Sequence, residues 1–327
     1  MSSIAKDEVS QNAMGGTELM KYGLEKRVDP EILKHFHITA SRYRGGDPNK
    51  INLYWLHDLP GDPESDHLKA GGWNKFERLI FASNWQMQQY VGHYGMPWYK
   101  CLVMQNAIDP IEIDWDKKVE SAKEKIKIIY HTTPHRGLNI LIPVFDELSK
   151  KYDNIELDVY SSFKIYGWEQ RDEQYQELFE FCKSHPKINY HGSVPNEQVK
   201  EALKEAHIFA YPSTWPETSC ISLIEAMSAG CLCVHSNYAA LPETSANWTW
   251  MYQYQDNVSD HANVFYGMLE NAIKQYTSES VQRRVKNAKN YTDLFYNWDL
   301  RAVQWTQLLN SILHAKGKIP NVESSDA

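Results

Sequence analysis

The chain has no uninterrupted apolar stretch near the roughly 18 residues that a membrane-spanning helix needs, so any membrane contact is expected to be peripheral. The opening MSSIAKDEVSQ lacks the apolar core of a secretion signal, and the cytoplasm is the expected compartment. Cysteine is sparse: Cys101, Cys182, Cys220, Cys231 and Cys233 form no C-x-x-C pair and read as reduced core thiols. Basic charge is also short, with 34 Lys and Arg against 42 Asp and Glu and a net charge of −8. Displacing counterions from a nucleic acid requires basic surface, so nucleic-acid binding is disfavoured. The D-x-D pattern Asp114-Trp115-Asp116 sits in a charged connecting stretch, and no His/carboxylate cluster suggests a metal site. Neither a metal nor a cofactor is expected. No feature specifies an oligomeric state.

What is present is ample material for two cores: 327 residues, 42% hydrophobic and 23% charged. Short apolar runs alternate with helical patterns, which predicts an α/β fold with mainly parallel strands. Strands are expected near 35–41, 51–57, 78–83 and 100–105, with helices near 16–27 and 84–93. Pro, acidic residues and a charged run mark a linker over 107–124. A second series follows: strands at 125–132, 155–161, 188–192, 207–213 and 231–236 alternate with helices at 137–151, 170–184 and 196–205. A further helix should run from near Ser219 to Gly230, and three more over 260–278, 279–291 and 297–315. Residues 316–327 read as a disordered tail. Two such units, both Rossmann-like, imply a cleft at the carboxyl ends of both sheets.

Four stretches carry candidate chemistry. In WPETSCISLIEAMSAG, Glu217 and Glu225 stand eight apart, at most about 12 Å along a helix axis. That spans the ribose and hexose of a nucleotide-diphosphate sugar, both rich in hydroxyls that carboxylates accept from. Between them the N–H groups of Thr218, Ser219, Cys220 and Ile221 would be the open donors of a helix N-terminus, which suit a diphosphate. Ser222 and Glu225 also fit a capping box, and Glu217 also fits an exposed loop. In HTTPHRGLNIL, Arg136 follows a strand and can pair bidentately with phosphate, or remain a solvated loop arginine. Gly15 and Gly16 run into a helix, by themselves only a turn signal. His57 and Asp58 end a strand facing the expected cleft, where a packed histidine is the plainer alternative.

Their order along the chain resembles the GT-B glycosyltransferases, in particular the retaining family 4 type. The similar elements are the Gly-Gly-x-Glu loop, FASNWQMQQYVGHYG…VMQNAIDP, TTPHRGL, YHGSVPNEQV and the E-x7-E element ETSCISLIE, over roughly residues 14–245. The resemblance implies an acceptor-side domain over 1–112 and a nucleotide-sugar donor domain over 113–295. It also implies a helix over 296–315 that packs back on the first domain. Glu225 would hold the ribose, Glu217 the donor sugar, and Arg136 with the amides after Glu217 the diphosphate, approached by Gly16. The strand end at His191, Gly192 and Val194 would meet the base through backbone. His57 and Asp58 would lie on the acceptor side, His57 beside the reacting sugar. The reaction implied is metal-independent hexosyl transfer with retention from a UDP- or GDP-sugar to the hydroxyl of a glycan or other acceptor.

Two departures stand out. The family's usual second cation, five residues before Arg136, is here His131, so Lys164 is a candidate substitute. The opening segment also lacks the hydrophobic strand that precedes the glycine loop in the family. The alternatives are another GT-B enzyme, such as a sugar-nucleotide epimerase, and a non-catalytic sugar-nucleotide or glycan-binding module.

Overall fold

The computed structural model describes residues 15–318. The expectations about the opening segment and about the tail from residue 319 lie outside the described residues. Residues Gly16–Arg27 (α1) and Pro30–Leu33 (α2) lead into Phe36–Ala40 (β1), Ile51–Leu56 (β2), Arg78–Phe81 (β3) and Cys101–Val103 (β4). These strands pair in chain order and all run parallel. Helix Asn84–Tyr94 (α3) lies between β3 and β4; Ser83 Oγ caps it by accepting from Gln86 N at 3.0 Å, and left-handed Gly95 (φ 63°) ends it.

The chain then passes through Trp115–Glu124 (α4) into Ile126–Tyr130 (β5), Leu138–Lys151 (α5), Ile155–Val159 (β6), Gln176–Ser184 (α6) and Ile188–Tyr190 (β7). It continues through Asn196–Glu205 (α7), Ile208–Tyr211 (β8), Ile221–Ser228 (α8), Leu232–Ser236 (β9), Leu241–Ser245 (α9) and Trp250–Tyr252 (β10). Helices Val258–Gln275 (α10), Glu279–Phe295 (α11) and Trp298–Ala315 (α12) complete the described chain. The second sheet is parallel with order β10-β9-β8-β5-β6-β7. Its middle strands β8 and β9 are buried throughout, as sheets covered by helices on both faces require. Chain order reverses between β5 and β8, so the loops leaving them diverge and open a crevice at their carboxyl ends.

Each sheet has its own apolar core. One cluster spans Ile111 to Ala288; another joins Met20, Leu24, Phe36 and Trp55 to Trp298, Trp305, Leu309 and Leu313 of α12. Helix α12 therefore crosses to the first sheet, its Trp305 ring 4.8 Å from Trp55. Gly23 makes this approach feasible, since a Cβ there would come within 1.9 Å of the Trp298 ring. The outward and return passages of the chain run side by side: Ile108 N donates to Tyr296 O at 2.7 Å and Trp298 N to Ile108 O at 3.2 Å. Lys289 ties the same region by donating to Ile111 O and Ser228 O, both at 2.7 Å. Across the molecule, the Glu243 carboxylate accepts from the N–H groups of Asn84 (2.8 Å) and Trp85 (3.0 Å) at the N-terminus of α3.

Several sequence expectations change. The stretch 107–124 is not all linker, because its second half is α4, capped by Asp114. The charged run concealed it: Lys118 is buried and donates to Leu203 O at 2.9 Å and Ala229 O at 2.6 Å. The helix expected from Ser219 begins at Ile221, with Cys220 as its N-cap residue, so the amides before it belong to a loop. The helix expected over 170–184 is a 3-10 segment, Glu169–Tyr175, followed by α6. Helix α9 and strand β10 went unanticipated.

Candidate active site

Between the carboxyl ends of the two sheets lies a cleft of about 460 Å³. Its floor comes from the loops after β5 and β8. In the first, a 3-10 turn Pro134–Arg136 runs into left-handed Gly137 (φ 116°), where α5 starts. Glycine is required twice over at Gly137, since a Cβ would also come within 2.1 Å of Pro212 O. The turn aims Arg136 inward. Its Nη1 donates to Glu217 Oε1 at 2.5 Å, and its guanidinium lies over the Trp215 ring at 5.9 Å. Tyr211 also donates its hydroxyl to Glu217 Oε1. Burial opposes the charge on Arg136, but Glu217, Tyr166 and Tyr211 outweigh it and hold the guanidinium charged above its ordinary range.

Glu217 and Glu225 are both buried at 4% exposure, which rules out the exposed-loop reading of Glu217. Glu225 lies one turn inside α8, so it cannot complete a capping box with Ser222; it accepts from Asn196 Nδ2 at 2.8 Å. Burial pushes its pKa up, partly offset by Asn196. Among the described residues, the N–H groups of Thr218, Ser219, Cys220 and Ile221 find no acceptor, and all four residues line the cleft. The opposite wall brings Gly15 and Gly16 from the first sheet. An added Cβ would meet the Tyr166 ring within 2.5 Å at Gly15 and Ile221 Cδ1 within 3.0 Å at Gly16. Thr218 closes the rim by donating its hydroxyl to His57 O at 2.9 Å.

His57, Asp58, His131, Gly192 and Val194 line the same cleft. His191 does not: it stacks on Tyr160 at 4.2 Å and pairs with Asp158 at 2.9 Å, outside the lining. Lys164 is also absent from it, exposed on a neighbouring surface, so it does not replace the missing cation. The cations that line the cleft with Arg136 are Arg42 and Arg171. Polar atoms without partners concentrate here: Arg136 Nε, His131 Nε2, His57 Nε2, Thr133 Oγ1 and Asn106 Oδ1 are all buried and unpaired. Such atoms are costly in a folded interior and point to an exogenous polar ligand.

Residues 111–291, more than half of the chain, match the family model described as glycosyl transferases group 1. The chain belongs to this glycosyltransferase family. A human phosphatidylinositol N-acetylglucosaminyltransferase subunit is 25% identical over 141 residues, 43% of this chain and 28% of that protein. Its Arabidopsis thaliana counterpart is 23% identical over 172 residues, 51% of this chain and 36% of that protein. The matches thus take in about a third of these curated relatives' length. Among solved structures, the pneumococcal O-GlcNAc transferase GtfA in complex with UDP and GlcNAc superposes with TM-score 0.62 at 11% identity, covering 81% of this chain and 53% of that one. Sucrose-phosphate synthase from Thermosynechococcus elongatus gives 0.63 at 15% identity, covering 82% and 69%. Anabaena HepE in complex with UDP-glucose gives 0.62 at 15%, covering 80% and 72%. The shared fold is GT-B, two parallel-sheet units facing a cleft.

The sequence gives little sign that Asn196, Tyr166, Trp168, Arg42 and Arg171 line the cleft. Asn196 had a signal, standing just after YHGSVP at a helix start. The others sit in irregular segments with no periodicity to mark them.

Burial lowers the pKa of His57 and His131 to about 3 and that of His235 to about 4, from 6.5. Each contributes stability while neutral in both states, and loses it as pH falls below 6.5, where the unfolded chain binds protons first. The melting temperature of the ligand-free chain should therefore fall between pH 6.5 and 4.5, less than the histidines alone require, because the raised carboxyls of Glu18, Asp58 and Glu225 take up protons in the fold first. A melting temperature that is flat over that range would show that these rings take up protons in the fold as readily as in the unfolded chain.

Proposed function

We propose that this glycosyltransferase is of the retaining, metal-independent family 4 type and moves a hexose-type sugar from a nucleotide-diphosphate sugar to an acceptor hydroxyl. The observation that carries this is the convergence on one cleft wall of buried Glu225, the acceptor-free amides of 218–221, the incompletely paired Arg136 and buried Glu217. Read along the donor, Glu225 takes the ribose hydroxyls, Arg136 and the amides take the diphosphate, and Glu217 takes the sugar hydroxyls. Gly192 and Val194 face the base, and Gly15 and Gly16 let the first sheet's loop approach the phosphates. Glu217 is oriented for its part, because Arg136 and Tyr211 occupy Oε1 and leave Oε2 for substrate.

In the reaction, the bond from the anomeric carbon to the diphosphate oxygen breaks as the acceptor oxygen bonds on the same face. The acceptor proton passes to the departing diphosphate. His57 stands with a neutral ring beside the reacting sugar, a hydrogen-bonding partner rather than a cation. Leaving-group charge is met by Arg136 and the loop amides. Solved neighbours captured with UDP or UDP-glucose support a uridine nucleotide as the first donor to test, with GDP-hexose next. The E-x7-E pair is the element that separates this reading from a general sugar-binding cleft.

A thermal-shift panel of nucleoside diphosphates and their sugars tests the donor half, since a ligand that binds only the folded state raises the melting temperature. Transfer should then persist in excess EDTA. Loss of transfer in chelator, restored by magnesium or manganese, would overturn the cation-and-amide account of the leaving group.

A further inference from the structure

The two glutamates of the donor wall are held alike, each by one oxygen. Arg136 and Tyr211 donate to Oε1 of Glu217, and Asn196 Nδ2 donates to Oε1 of Glu225 at 2.8 Å. Among the described residues, Asn196 is the one side chain that hydrogen-bonds the Glu225 carboxylate. It does so from a fixed position. Left-handed Gly192 (φ 66°) turns the chain out of β7, Pro195 restricts the backbone before α7, and Asn196 is the first residue of that helix. Val199 and Leu203 anchor α7 in the core of the second unit, so packing sets where the amide lies. Asn196 also lines the cleft, beside Gly192 and Val194. The choice of an amide has a chemical consequence. A carboxylate at 4% exposure has lost most of its water, and its hydrogen bonds must come from elsewhere. A lysine or arginine would supply them by neutralising the charge. An amide N–H supplies one and leaves the negative charge in place, which keeps the carboxylate a strong acceptor. Lys200 and Glu197, on the same helix, act on Glu225 with opposite signs, and burial keeps the Cys220 thiol at the start of α8 protonated.

We propose that Asn196 is the positioning residue of the ribose site, and that through it the cleft selects ribonucleotide over 2′-deoxyribonucleotide donors. This rests on the ribose assignment of Glu225 made above and narrows the class of donor that the site takes. With Oε1 held by the amide, the carboxylate keeps one orientation and offers Oε2 to the ligand. The vicinal 2′- and 3′-hydroxyls of a ribose can both donate to a carboxylate so placed. A 2′-deoxyribose has only one of these donors and leaves the buried charge underpaired, which is how a site built for a hydroxyl rejects the analogue without it. Without Asn196 the carboxylate would lose both its orientation and the donor that offsets its burial. The preference for the 2′-hydroxyl would go with them.

The test uses the full chain, titrated calorimetrically with UDP and 2′-deoxyuridine diphosphate, or with GDP and its 2′-deoxy analogue where guanosine binds better. Wild type should bind the ribonucleotide about tenfold more tightly than the deoxynucleotide. Asn196→Ala should weaken the ribonucleotide about tenfold and the deoxynucleotide by less than about threefold, so that the preference largely vanishes. Asn196→Asp keeps the shape of the side chain but sets one carboxylate against another, a pair that binds a shared proton as pH falls. Its ribonucleotide affinity, taken relative to wild type, should therefore rise from about pH 8 to about pH 6. Titration of the nucleotide itself cancels in that ratio. A residue that only supports the fold would weaken both nucleotides alike and show no such pH signature. Equal loss of both nucleotides in Asn196→Ala, or an undiminished ribose preference in it, overturns the inference, as does a wild type without the preference. Glu225→Ala separates this from the reading beneath it. Loss of the preference in Glu225→Ala but not in Asn196→Ala leaves Glu225 as the ribose contact and removes Asn196 as its positioner. Retained affinity and preference in Glu225→Ala removes the ribose assignment itself, and a wild type that binds neither UDP nor GDP removes the donor reading.

Discussion

Arg136→Ala is expected to lower transfer by one to two decades. A charge-assisted hydrogen bond to a desolvated diphosphate is worth about 1.5–3 kcal/mol, and that energy lost from the transition state alone gives a factor of about 10–100 in rate. Arg136 is poised for such a contact, because Glu217 takes only Nη1, Tyr166 lies 3.5 Å from Nη2, and Nε is buried without a partner. The substitution has a second effect through Glu217, which would keep only Tyr211 to orient it. Arg136→Lys should restore part of the rate, since an ammonium supplies the charge without the planar fork. His131→Arg should be neutral or should tighten nucleoside diphosphate, by returning the cation that the family usually carries there. Steady-state kinetics on the three variants decides the matter. Wild-type turnover in Arg136→Ala, together with an inactive His131→Ala, would make a ligand-protonated His131 the principal phosphate contact.

Glu225→Ala should weaken nucleoside diphosphate binding by about 10–100-fold, whereas Glu217→Ala should mainly lower turnover with donor affinity retained. Ribose hydroxyls bind the same way in ground and transition states, so losing their acceptor appears in affinity. Charge develops on the sugar ring only as its bond to the diphosphate breaks, so losing Glu217 appears in rate. Burial of Glu225 strengthens the first expectation: Asn196 supplies one hydrogen bond to a carboxylate that is 4% exposed, and ribose hydroxyls would supply others. Calorimetry with the nucleoside diphosphate and a single-turnover assay separate the two effects. Unchanged nucleotide affinity in Glu225→Ala would remove the ribose assignment.

The parts of this protein that were legible in the sequence are those where periodicity and burial agree. The β5, β8 and β9 strands are nearly continuous apolar runs, and α5 carries an apolar face that its Leu and Ile spacing announces. The paired glutamates were visible because a carboxylate inside an apolar helix is chemically conspicuous. Helix α4 was hidden because Lys118 looks solvated in the sequence, yet its ammonium satisfies two carbonyls in the interior. The start of α8 was misjudged because Thr218 and Ser219 are good capping residues on paper, while the backbone needs two further loop residues to bring their amides to the cleft. The cleft mouth was least legible. Arg42, Tyr166, Trp168 and Arg171 owe their convergence to a left-handed serine and to 3-10 turns, neither of which has a period to detect.

The paired passages at Ile108 and Tyr296–Trp298 act mechanically as the spine of a book. Two hydrogen bonds fasten these passages to each other, so the two connections between the sheets are gathered at one place. Glu243 on the N-terminus of α3 is a second tie, made of side-chain oxygen against backbone N–H. Between these ties the glycine loop of one unit faces the donor loop of the other so closely that a single added Cβ at Gly16 would reach Ile221.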